Sequence, residues 1–75
     1  MKYELKPTDG RKSFYGIAFV EVTETSETLY SYGTPILEKD RKTGIYKKLW
    51  SGWSATTGRH IKAYSGMNKA AYEKL

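Results

Sequence analysis

The sequence predicts an α+β domain, an antiparallel sheet of about four strands with a C-terminal helix packed on it. Three observations carry this reading. Apolar and polar residues alternate through most of the chain as far as Trp50, which is the period of β-strands. From Ser54 onward the apolar spacing changes to three and four, the period of a helix. Seventy-five residues without a cysteine allow one domain, with neither disulfides nor a thiolate zinc site to hold it together.

The elements follow in order. KYELK alternates and predicts a strand over 2–6, closed by PTDGRK, where Asp9-Gly10 signals a turn. SFYGIAFVEVTE predicts the strongest strand, 13–23. Phe14, Gly16, Ala18, Val20 and Val22 share one face, and Tyr15, Ile17, Phe19 and Glu21 the other. Both faces are apolar in the middle, so a central or doubly covered strand is expected. ETSE reads as a hairpin connection, and TLYSYGTPILE as a strand over 28–37 that Gly33 and Pro35 interrupt. KDRKTG is a charged turn ending in Gly44. The strand over 45–51 carries lysines on both faces, which suits an edge.

A helix over 55–65 is expected next, with Ser54, Thr56 or Thr57 as its N-cap and Gly66 in a left-handed C-terminal position. A short helix over 68–74 with Asn68 as cap follows. The expected core is Tyr15, Ile17, Phe19, Val20, Leu29, Leu37, Leu49, Trp53 and Ile61. A chain this short buries only about 60% of its unfolded surface, so its seven Tyr, two Trp and two Phe must supply much of that core.

Net charge is +5 and unevenly placed. Up to Leu37, four Lys/Arg face five acids; from Glu38 onward, nine face three. Net charge in a small domain serves solubility, but a basic half also suits a polyanion. No apolar run approaches the roughly 20 residues of a membrane span, and no signal-peptide pattern opens the chain. A complete cytoplasmic gene product with no membrane partner is the expectation.

The stretch LWSGWSATTGRHI, 49–61, is the join between sheet and helix. Read structurally, Trp50 packs under the helix and Trp53, just before Ser54, staples its first turn. Read functionally, Lys47, Lys48, Arg59 and Lys62 stand among Tyr46, Trp50 and Trp53. Such interleaving suits single-stranded nucleic acid, whose bases stack on rings while cations follow phosphates. Lys47, Lys48, Trp50, Arg59 and Lys62 are therefore the candidate nucleic-acid-binding residues. His60 is the one histidine and the only strong base, with Ser51, Ser54, Thr56 and Thr57 as conceivable nucleophiles. No motif fixes one of them at a strained elbow, and the glycines have neither P-loop nor dinucleotide-binding spacing. No catalysis, cofactor or metal is expected.

Ser31, Tyr32 and Thr34, followed by Trp53, Ser54, Thr56, Thr57, Arg59, His60 and Ile61, form two motifs. Together they resemble those of a group of small phage- and prophage-borne proteins of unknown function, with a Ser-Tyr-x-Thr strand and a Trp-Ser-x-Thr-Thr-x-Arg-His-Ile segment. The resemblance covers roughly 29–64, with Gly33-Pro35 as a departure, and implies a mobile-element origin and a stand-alone domain but no activity. The expected function is a non-catalytic accessory binding protein that contacts DNA or RNA. The alternative is a protein-interaction module, as a homodimer or an inhibitor of a host protein, motivated by the aromatic excess at Tyr30, Tyr32, Tyr46 and Trp50.

Overall fold

In the computed structural model, which describes residues 1–5 and 17–75, the chain forms an antiparallel α+β domain. The sheet contains β1 (Lys2–Glu4), β2 (Ala18–Val22), β3 (Ser26–Ser31), β4 (Thr34–Asp40) and β5 (Tyr46–Lys48), and two helices follow, α1 (Ala55–Ser65) and α2 (Lys69–Glu73). Strand order is β1-β2-β3-β4-β5, and every neighbouring pair is antiparallel. The turn at Asp9-Gly10, the start of the strand expected over 13–23, and the core candidate Tyr15 lie outside the described residues.

Five strands stand where about four were expected, because the run over 28–37 is a hairpin. Tyr32 and Gly33 form a two-residue loop between the paired Ser31 and Thr34, with φ of +53° and +77°. Positive φ at both loop positions is the primed turn that matches strand twist. The other turns are held by side chains. Thr23 Oγ1 accepts from the Ser26 amide at 3.1 Å. Asp40 Oδ1 accepts from Lys42 N and Thr43 N at 2.8 and 3.1 Å.

One sheet face carries the core. Ala18, Val20, Leu29 and Leu37 are fully buried on it, and Leu5 and Ile36 nearly so. Between Leu29 and Tyr30 the β3–β4 register slips: Leu29 pairs with Leu37 but Tyr30 with Pro35, leaving Ile36 as an extra residue. This β-bulge turns Ile36 and Leu37, although consecutive, both inward. The Ile36 carbonyl accepts from Leu49 N at 2.9 Å, Trp50 N at 3.2 Å and the Tyr72 hydroxyl at 3.1 Å. The bulge thus gathers the end of β5 and α2.

α1 lies on this face through Thr57, His60 and Ile61, all buried, with Tyr64 half-buried beyond them. Spacing of three and four places them on one helical stripe. Ser54 is the N-cap, accepting from Thr57 N at 3.1 Å. Gly66, at φ +80°, closes the helix by donating its N–H to Lys62 O. Asn68 caps α2, and α2 docks through Tyr72, which is fully buried.

Two expected core positions are elsewhere. Phe19 faces away from the helices and is half-buried, stacked on Tyr30 with ring centroids 5.1 Å apart and Lys2 Nζ 4.6 Å over its ring. Its alternation with Val20 puts it on the opposite sheet face, where no described helix packs. Leu49 is 41% exposed, because β5 ends at Lys48 and the chain there leaves the ladder to meet the Ile36 carbonyl. Ile17 and Trp53 are half-buried and pack against the core, whereas Val20, Leu29, Leu37 and Ile61 are fully buried.

Tyr72→Phe, which keeps the ring and removes the donor to Ile36, should cost about 1 kcal/mol. Tyr72→Ala should cost about 3–5 kcal/mol by opening a cavity under α2. Urea unfolding followed by circular dichroism measures both.

Candidate nucleic-acid interface

The buried side of α1 carries the chain's one histidine into the sheet. His60 is fully buried, and its Nδ1 lies 2.8 Å from Ser31 Oγ at the end of β3. Ser31 Oγ is also 3.1 Å from Thr57 Oγ1 one helical turn earlier. Buried polar groups need partners, and the two hydroxyls and the Nδ1 of the imidazole supply them to one another. The direction of the Ser31–His60 hydrogen bond follows the imidazole tautomer. Burial, and secondarily the Arg59 charge, push the His60 pKa below its usual value.

At the other end of α1, Tyr64 donates to Glu27 Oε1 at 2.9 Å and meets Tyr46 edge-on at 6.2 Å. Burial, reinforced by the bond to Glu27, holds the Tyr64 phenol far above its ordinary pKa. Ser31 was not singled out as a partner of His60. Its signal was a hydroxyl on the same strand face as Leu29, and only the fold supplies the other two groups.

The tryptophans flank the start of α1. Trp53 lies flat against Gly58, where any Cβ would collide with the ring, and tilts against Tyr72 at 5.7 Å. It is the expected staple, made on a position that has to be glycine. Trp50 is half-buried and folds back over Gly52, where a Cβ would stand 2.7 Å from the ring.

The candidate cations separate. Lys47 pairs opposite Glu38 and alternates away from Lys48 and Leu37, so it belongs to the sheet face that α1 does not cover. Lys48 lies 5.6 Å over the Tyr72 ring and donates to Glu73 O at 3.3 Å. Arg59 and Lys62 come together on the outer side of α1. With Lys69 at the start of α2 they rim a groove of about 200 Å³, floored by Trp53, Gly58 and Met67. Lys69 was not among the candidates. Among the described residues lining this groove, three are cationic and none is acidic.

A second recess of about 190 Å³ lies beside the β3–β4 loop, with Trp50 in its wall. The motif segments 31–34 and 53–61 meet around it and behind it, at Ser31, Thr57 and His60. Among the described residues no group of three His, Cys, Asp or Glu could hold a metal ion. No described helix is long and apolar enough to cross a membrane.

Fold and site together define a small antiparallel α+β domain with a cation-rimmed groove on its helical side. The chain belongs to a family of unknown function (DUF8033), whose model matches residues 3–74. No curated protein and no solved structure matches it.

The lowered His60 pKa sets a pH dependence. The unfolded chain takes up the imidazole proton near its ordinary pKa of about 6.5, while the folded protein resists it to lower pH. This contribution to stability is complete above about pH 6.5 and is lost as pH falls through the folded value. Denaturant midpoints between about pH 8 and 5 should therefore decline on the acid side. In His60→Gln that part of the decline should disappear, and equal slopes for the two proteins would refute the assignment.

Proposed function

We propose that the protein is a small, non-catalytic accessory module of phage type that acts in the cytoplasm and binds nucleic acid through the outer side of α1. One observation carries this reading: the groove in which Arg59, Lys62 and Lys69 converge beside Trp53, with no carboxylate among the described residues that line it. A run of cations beside an apolar floor complements a phosphate backbone and the rings attached to it. The first turn of α1 also lacks any acid, so its positive dipole end adds to the same field. The basic second half of the sequence accounts for long-range attraction to such a partner. His60 serves this module as a packing group.

Because Lys47 projects from the sheet face that α1 does not cover, it contributes less phosphate contact than the cations gathered at the groove. A second reading, a protein-interaction module, is favoured by the Phe19–Tyr30 stack on the sheet face where no described helix packs. The aromatic excess behind that reading is smaller than expected, since Tyr46 and Trp50 are half-buried against the core.

Fluorescence anisotropy with short single- and double-stranded oligonucleotides at about 50 and 200 mM salt tests the proposal. Three phosphate contacts on a single strand give a log–log salt slope of about −2. The double variant Arg59→Ala/Lys62→Ala should reduce that slope by about 1.4, whereas Lys47→Ala should leave it nearly unchanged. Absence of binding by the unaltered protein at low salt would overturn the reading and move attention to the Phe19–Tyr30 face.

A further inference from the structure

Tyr32 occupies an expensive conformation without an evident packing return. It sits at φ +53° in the first position of the β3–β4 loop and is 60% exposed. A left-handed conformation costs a residue with a Cβ roughly 1–2 kcal/mol, and primed turns strongly favour Asn, Asp or Gly at this position. The ring's one described aromatic neighbour is His60, tilted with centroids 6.1 Å apart. Strain of this kind at an exposed side chain points outward, toward something the side chain does.

Tyr32 lines the recess of about 190 Å³, together with Ser31, Thr34, Ile36, Trp50 and Thr57. Among these described linings two are aromatic, one is aliphatic, three carry hydroxyls and none is charged. Ser31 and Thr57 are held in place by the bonds that join them to each other and to His60, so the buried end of the recess is preorganised. The volume corresponds to roughly six waters at about 30 Å³ each, well below the several hundred Å³ of a drug-sized site. It suits one flat, uncharged heterocycle. Each hydroxyl both donates and accepts, so donors and acceptors on a ring edge are met without strict selection among them.

We infer that this recess takes a single unstacked nucleobase, held by the Tyr32 and Trp50 rings and met along its edge by the hydroxyls of Thr34, Ser31 and Thr57. The inference rests on the nucleic-acid reading above for its macromolecular context and makes that reading specific: the preferred partner is single-stranded. Consecutive residues of α1, Thr57 and Gly58, line the base recess and the cationic groove respectively. One strand crossing the start of α1 therefore presents a base to one and phosphates to the other.

The test variant is Tyr32→Asn, which suits the loop conformation and should unfold at the same temperature as the unaltered protein or a higher one. Affinity is measured for a single-stranded oligonucleotide, its duplex and a single strand with abasic sites. The unaltered protein should favour the intact single strand by about tenfold, the scale of one lost base–aromatic stack. Tyr32→Asn should abolish that preference while leaving the salt slope intact. Equal affinity of both proteins for intact and abasic strands would overturn the recess assignment and leave the groove reading standing.

If no oligonucleotide binds, the nucleic-acid reading fails. Millimolar adenosine and uridine, followed by amide and indole chemical shifts, then decide the recess alone. Saturable shifts at Tyr32, Thr34 and Trp50 that vanish in Tyr32→Asn would support a free nucleoside as the source of the base. Silence would overturn the inference.

Discussion

The structure turns on one carbonyl, that of Ile36. Because Pro35 pairs with Tyr30 while Leu37 pairs with Leu29, Ile36 is left outside the regular ladder with its side chain in the core. Its oxygen faces the amides of Leu49 and Trp50 and the hydroxyl of Tyr72. The same hydroxyl also reaches the Trp50 carbonyl. A bulge normally costs a sheet part of its pairing. Here the misaligned groups are taken up by the segment that ends β5 and by α2, so the sheet and α2 close on each other at one place. With only 75 residues, the domain lacks a large core and depends on such junctions.

Between α1 and the sheet the contact is partly polar. Ile61 packs on the buried face, but beside it stand Thr57 and His60 against Ser31, with Tyr64 against Glu27 farther along. Apolar contacts tolerate small rotations of a helix, whereas hydrogen bonds with directional partners do not. The two polar anchors thus set the rotation of α1 about its axis. That rotation in turn puts Arg59 and Lys62 on the outer side and Thr57 beneath the β3–β4 loop. The features proposed for binding therefore depend in part on groups that line neither cavity, His60, Tyr64 and Glu27.

Trp53 and Trp50 answer the question their spacing raises in different ways. Trp53 is held between Gly58 and Tyr72 and also lines the groove. Trp50 covers Gly52 on one side and lines the recess on the other. The first is chiefly a staple of the helix start. The second is both packing and wall, and it is the one that joins Tyr32.

Much of the fold was legible in the sequence because its signals are local. Ser54, Gly66 and Asn68 mark helix ends through hydrogen bonds made within one turn, and α1 covers the expected 55–65. Alternation gave the β-strand class, and Val20, Leu29 and Leu37 stand in the core as expected. Which face of the 13–23 strand turns inward was left open, since Phe19 was expected there as well. The Tyr32–Gly33 turn was also local, yet Pro35 drew attention away from it, and one strand was expected where two exist. What the chain alone could not settle was every relation between distant segments. The bulge at Ile36 depends on cross-strand register, the burial of His60 on a serine 29 positions earlier, and the exposure of Leu49 on where β5 stops. The cationic candidates shared a stretch of sequence, but strand alternation sent Lys47 to the far face and the helix sent Arg59 and Lys62 to the near one. Composition and the order of apolar and polar residues determined a small, cysteine-free, basic α+β domain. Which of its charges and rings stand together was decided by tertiary packing, since only closed contacts can choose a side.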